Sequence, residues 1–136
     1  MDTIRTAHYF KVQVPDKPGE GARMLEALRN SGVNLLAFSG FPRNRRAQVD
    51  FVPEDPSLFK TVARQAKLKV QGPKTCFLVG GDDRPGAVAK LMAKLAEANI
   101  NVTAIDAVVE GQGRYGALCW VNTRDVKKAA KVLGVG

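Results

Sequence analysis

Histidine occurs once, tryptophan once and cysteine only twice in this chain of 136 residues. That scarcity excludes much chemistry. Cys76 and Cys119 stand in no C-x-x-C pair and His8 has no second histidine near it, so no metal site is expected from them. No cofactor motif is present either, and none is expected. There is no Ser/His/Asp set and no reactive-cysteine context. Asp16 and Asp83 are conceivable general bases with nothing to work with, so no catalytic residue is assigned and the chain is not expected to be an enzyme. No apolar run approaches the roughly 20 residues that a membrane span needs. The opening MDTIRTAHYF lacks the apolar core and small-residue cleavage site of a secretory signal. A cytoplasmic location is the resulting expectation, and in that reducing setting two buried strand cysteines act as small hydrophobes.

Charge of one sign is not concentrated anywhere. The net charge of +8 comes from 21 basic and 13 acidic side chains spread over both halves of the chain. The densest cluster, Arg43, Arg45 and Arg46, reads first as a solvated hairpin tip and second as a phosphate or partner contact. With 45% hydrophobic and 25% charged residues, the composition is that of an ordinary globular protein.

What the sequence does have is a repeat. VPDKPGEGARML (Val14–Leu25) and GDDRPGAVAKLM (Gly81–Met92) each run Asp, basic residue, Pro-Gly, then a helical pattern. Asp16 aligns with Asp83, Pro18 with Pro85 and Gly19 with Gly86 at one constant offset. Val33-Asn34-Leu35 pairs with Ile100-Asn101-Val102 at the same offset. The segment Ala47–Val52 matches Gly116–Val121 at a slightly larger one, for which a longer hairpin loop in the second copy is expected.

Each copy predicts the same order of elements. A strand (Ala7–Val14 or Thr75–Val79) meets the Pro-Gly turn. A helix follows, with Ala22, Leu25 and Leu28 or Val88, Leu91, Met92 and Leu95 at helical spacing, and Gly32 or Asn99 ends it. Then come a strand (Asn34–Gly40 or Asn101–Val109), a hairpin loop (Pro42–Arg45 or Glu110–Gly113) and a third strand. A second helix starts from Asp55 with Pro56 behind it, or from Asn122 or Thr123. A short strand at Leu68–Gln71 closes the first copy, and in the second it is barely present. Gly72-Pro73 is the expected linker between module 1 (residues 1–71) and module 2 (residues 74–136). The order is βαββαβ twice, an α+β class of two tandem ferredoxin-like modules, antiparallel sheets with helices on one face, expected to share a sheet. Modules this small have marginal cores and open edges, so a homodimer is expected as well.

The turn residues have a chemistry of their own. Gly19 and Gly86 sit where a strand hands over to a helix, where the absence of Cβ lets a ligand approach the backbone. The first helical amides are unpaired and carry the positive end of the helix dipole, a seat for a carboxylate. Asp16 and Asp83 can accept from an ammonium group, and the Asn34 and Asn101 amides offer donors and acceptors. Together these suit a free amino acid. Asp-x-Pro-Gly is equally ordinary turn chemistry, and the residues alone leave both readings open.

These two stretches, VPDKPGEGARMLEALRNSGVNL and VGGDDRPGAVAKLMAKLAEANINV, resemble the ACT domains, small regulatory modules that bind amino acids. The resemblance covers nearly the whole chain as two tandem modules without a catalytic domain. It implies βαββαβ units paired side by side and a small amino acid bound between modules near the strand-to-helix turn. On matching positions the ligand would meet Asp16, Lys17, Pro18 and Gly19, or Asp83, Arg84, Pro85 and Gly86, with Asn34, Leu35, Asn101 and Val102 opposite. The function it implies is that of a stand-alone regulatory amino-acid sensor with a possible partner enzyme. The departures are Glu20-Gly21 where the second copy has Ala87-Val88, and the shortened last strand.

Two other readings stand beside the sensor. One is a ligand-free dimerisation scaffold for an enzyme. The other is RNA binding, since RNA-recognition modules share the βαββαβ order. RYGALCWV (Arg114–Val121) has the wrong aromatic spacing for it, and RAQVDFV (Arg46–Val52) puts an aspartate on the strand, so nucleic acid is not the expected partner.

Overall fold

A computed structural model of the chain describes residues 2–135. The chain divides into two compact units: a first unit of residues 8–74, and a second in which residues 2–7 join residues 75–135. Each is α+β, with a core between one face of an antiparallel sheet and two helices, as the repeat predicts.

In the first unit the chain enters on β1 (Thr3–Pro15), whose Phe10, Val12 and Val14 alternate onto the core face. Helix α1 (Glu20–Asn30) buries Met24 and Leu28 and ends where Gly32 turns left-handed at φ 78°. Strands β2 (Leu35–Arg43) and β3 (Arg46–Pro53) form a hairpin. Its turn is the two-residue Asn44-Arg45, with φ of 52° and 65°, the geometry that matches strand twist. Pro42 and Arg43, expected in the loop, extend the strand instead. Helix α2 (Pro56–Gln65) starts as expected: the Asp55 carboxylate accepts from the Leu58 amide at 3.1 Å and Pro56 follows it. Phe10 stacks on Phe59 with ring centroids 4.7 Å apart, Phe51 meets Phe59 in a tilted contact at 5.4 Å, and these three rings centre the core.

The second unit repeats the plan with β4 (Val70–Asp82), α3 (Ala87–Glu97), β5 (Val102–Gly111), β6 (Arg114–Val121) and α4 (Val126–Leu133). Asn99, at φ 59°, ends α3 as Gly32 ends α1. Asn122 caps a short 3-10 turn (Thr123–Asp125) that leads into α4. The β5–β6 turn is also two residues, Gln112-Gly113. The loop is no longer than in the first unit; a bulge supplies one extra residue. Cys119, which faces Phe77 as Phe51 faces Phe10, is therefore the counterpart of Phe51, and the sequence alignment of Ala47–Val52 with Gly116–Val121 runs one residue too far. Val108 pairs with Gly116 and Gly111 with Arg114, so β5 carries the extra residue between them.

Two expectations about chain order change. The strands expected at Leu68–Gln71 and Thr75–Val79 are one strand, β4, and the expected linker Gly72-Pro73 lies inside it. Gly72 adopts φ 130°, and a Cβ there would come within 2.8 Å of the Tyr9 carbonyl oxygen; only glycine passes so close to a neighbouring backbone. The last strand missing from the second copy is replaced by the start of β1, which the expectation gave to module 1. Thr3 Oγ1 donates to the Gly80 carbonyl at 3.4 Å, Cys76 Sγ donates to the Ala7 carbonyl at 3.6 Å, and Ile4 packs against the second core. The strand order of the second unit is thus β1-β4-β6-β5, and that of the first is β2-β3-β1-β4.

Gly72→Ala is expected to cost about 2 kcal/mol or more, from the forced left-handed backbone and the clash with Tyr9. Gly32→Ala, with nothing near its missing Cβ, is expected to cost about 1 kcal/mol. Denaturant unfolding of the two variants measures the difference. A chain starting at His8 should lose hydrogen-exchange protection at the β4 amides of residues 75–80 first, since they lose their neighbouring strand.

Candidate functional site

Both Pro-Gly turns adopt one conformation. Gly19 (φ 91°) and Gly86 (φ 82°) are each the residue before the helix, both left-handed, with nothing within 4 Å of the missing Cβ. An L side chain is strained at such angles, so the two glycines are required by the backbone alone. Neither helix has a side-chain cap. The first amide of each bonds back into the turn: Glu20 to the Lys17 carbonyl at 3.5 Å, Ala87 to the Arg84 carbonyl at 3.3 Å. The next two amides of each helix lie too early to find a carbonyl within it.

The two turns differ in what they hold. At the first, Glu20 lies on the opening turn of α1 with its carboxylate 3.0 Å from Arg23 and 3.7 Å from Lys17. The chain therefore places its own carboxylate at the positive end of this helix. At the second, Ala87 leaves that position open. A shallow hollow of about 390 Å³ lies there, lined by Asp83, Arg84 and Gly86, the first turn of α3, Ala107–Val109 of β5 and Tyr115. The backbone of Asp83 is fixed by its amide donating to the Gly113 carbonyl at 2.8 Å, while its side chain is exposed. Val108 and Val109, both exposed, give the hollow an apolar wall.

The structure thus brings Asp83, Arg84 and Gly86 together, with Pro85 between them in the turn. Asp16, Lys17, Pro18 and Gly19 share the first turn. Asn101 and Val102 are elsewhere. Val102 pairs with Val121, at the far end of β5 from Gly111, so neither lines the hollow. Likewise Leu35 pairs with Pro53, far from Arg43, and Asn34 donates through Nδ2 to Glu54 at 3.4 Å. The right-handed strand–helix–strand crossover returns the chain to the opposite end of the sheet, which separates these residues from the turn of their own unit.

One participant was not legible in the repeat. Asp2 forms a two-bond pair with Arg84, Nη1 to Oδ1 at 3.1 Å and Nη2 to Oδ2 at 3.0 Å. Arg84 also donates to the Asp82 carbonyl at 2.9 Å. Hydrogen bonding to Arg84 holds the Asp2 carboxyl below its ordinary range and raises Arg84 in turn. The Asp2 carboxylate lies over Gly81, where any Cβ would collide with it. The Tyr115 hydroxyl is buried beside it, and burial, with Asp2 next, raises the phenol above its usual value. A second, larger hollow of about 650 Å³ adjoins this pair, with Ile4, Val79, Leu91 and Leu133 for an apolar floor and Lys90 and Lys94 at the rim. Among the described residues no cluster of His, Cys, Asp and Glu is arranged to hold a metal, and no helix is long and apolar enough to cross a membrane.

No family model and no curated protein matches the chain. Solved structures do. A protein from Bacteroides thetaiotaomicron has a TM-score of 0.82 at 16% identity, over 95% of this chain and 87% of that one. The regulatory subunit of aspartate kinase from Thermus thermophilus has 0.66 at 15% identity, over 98% and 95%. A C-terminal regulatory domain of aspartate kinase from Porphyromonas gingivalis has 0.60 at 12%, over 98% and 95%. The chain has the tandem ACT fold. The likeness in fold runs end to end and takes in both units.

Two outcomes follow for the second ACT unit. The folded carboxyl of Asp2 titrates lower than the unfolded one, so its pairing stabilises the fold above the ordinary carboxylate range and is lost as pH falls through the folded value. Carboxyl-carbon NMR titration should find Asp2 below ordinary aspartates in the wild type and back among them in Arg84→Gln. Burial pushes the Cys119 thiol up to about 11, and Cys76 is buried as well. At pH 8 a thiol reagent should label neither in the native protein and both after denaturation.

Proposed function

We propose that this chain is a non-enzymatic regulatory protein of the cytoplasm that binds a small amino acid at its second Pro-Gly turn and acts on a partner enzyme. The observation that carries this reading is the contrast between the turns. The first holds its own Glu20 carboxylate; the second presents the same helix end with alanine in that place. In this reading the ligand carboxylate takes the Val88 and Ala89 amides, Asp83 accepts from the ammonium group, and Val108 and Val109 meet the side chain. A modest apolar side chain fits that wall better than a charged one. The resemblance to regulatory subunits of aspartate kinase, at the level of fold, supports the choice of ligand class and of an enzyme as partner. Asn34, Leu35, Asn101 and Val102 enter this site only if another module presents them. A homodimer fits the long edge strands β2 and β5, each of which leaves one side open to a further strand. Without a ligand, the same edges suit the scaffold reading.

Binding to the folded state alone must raise the melting temperature, by the equivalent of about 2.7 kcal/mol at a hundredfold excess over the dissociation constant. A thermal-shift screen of the full chain against the twenty amino acids should give a rise with one or a few of them. Asp83→Ala should weaken that ligand about tenfold or more, and Asp16→Ala should leave it within about twofold. No rise at millimolar concentration leaves the scaffold reading in its place.

A further inference from the structure

The first unit has a hollow that the amino-acid reading does not use. It measures about 350 Å³ and lies on the sheet face away from the helices, lined by Lys11, Gln13, Arg43, Arg46, Gln48, Lys69 and Gln71. These residues come from β1, β2, β3 and the start of β4 with Lys69 just before it, so the topology gathers them from four places in the sequence. Every charged group in the lining is a cation.

The floor is built rather than left to solvent. Gln48 and Asp50 are the two buried polar residues of this unit, each only 5% exposed. Gln48 Nε2 donates to Asp50 Oδ1 at 3.2 Å, and Gln48 Oε1 in turn accepts from Arg43 Nη1 at 3.3 Å. That fixes the Gln48 amide and aims the Arg43 guanidinium, leaving most of its donors for something else. Arg46 Nη2 is held to the Gln13 carbonyl at 3.4 Å. The Asp50 carboxylate offsets part of this positive charge at Lys11. Burial above all, and then the charges of Lys74 and Arg43, lower the affinity of Lys11 for a proton. An excess of cations around a half-buried lysine is a cost to the empty protein that a bound anion removes.

We propose that this hollow binds one compact anion carrying two or more negative charges, either a phosphorylated or a polycarboxylate small molecule, with Arg43 and Lys69 as its principal contacts. The proposal is independent of the amino-acid site, which lies in the other unit. Its volume is that of a small-ligand site. Single-stranded RNA is the weaker candidate, because no aromatic side chain lines the hollow to stack a base.

Calorimetry of the full chain at fixed ionic strength, with pyrophosphate and then citrate as probes, tests this. The expected result is saturable binding of one anion per chain. Arg43→Gln and Lys69→Gln should each weaken it about tenfold, and Arg43→Lys should recover part of the loss. Lys60→Gln, which removes the same charge from the exposed side of α2, should change nothing. Pyrophosphate binding alone marks a phosphate ligand, and equal citrate binding marks a polycarboxylate; either sustains the proposal. No saturable binding of either probe, an equal loss in Lys60→Gln, or an RNA oligomer that pyrophosphate fails to displace overturns it.

Discussion

The hydrogen-bonding demand of β4 governs how this chain can fold. A strand buried in a sheet needs a partner on both sides, because an unpaired backbone group shut away from water costs as much as a lost hydrogen bond. Within the second unit, β6 supplies one side of β4. No strand follows α4 among the described residues to supply the other, and the first residues of the chain take that place. Length, register and glycine placement follow. β1 runs 13 residues rather than eight, and a side chain at Gly81 would have to push the Asp2 carboxylate aside.

The same placement sets the electrostatics of the second turn. Arg84 occupies the position of Lys17 in the repeat, but its carboxylate partner comes from residue 2 rather than from the helix that follows. The two turns thus reach charge balance by different routes. In the first, Glu20 belongs to the helix and occupies its positive end. In the second, Asp2 ties down the arginine and leaves the helix end itself free.

Much of this was legible in the sequence, because it depends on local rules. Glycine at the left-handed turns, Asp55 with Pro56 at a helix start, and Gly32 and Asn99 at helix ends all act over a few residues. The periodicity likewise found the buried face of α3, while on α1 it found Leu28 but missed Met24, which goes fully inside where Leu25 is partly buried and Ala22 exposed. What escaped depends on distant residues. Nothing near Thr3 indicates that it lies beside Gly80. The Val108–Gly111 bulge looks like a longer loop when only the repeat offset is visible. Asn34 and Asn101 look close to the turns in a linear motif, yet the crossover carries them to the far end of the sheet. The hollow around Gln48 draws on residues as far apart as Lys11 and Gln71, and strand alternation alone would have placed Gln48 and Asp50 in water.

The bond between Thr3 and Gly80 spans 77 residues. A ribosome makes Thr3 well before its partner. The first unit, contained in residues 8–74, has all of its strands before β6 has been made. The second needs β4 to reach back to a segment made before the first unit, a loop whose entropy cost grows only slowly with length but whose formation is slow. Until β4 is made, residues 2–7 are a strand segment without a partner, and the growing chain carries that exposed edge while the whole first unit is synthesised.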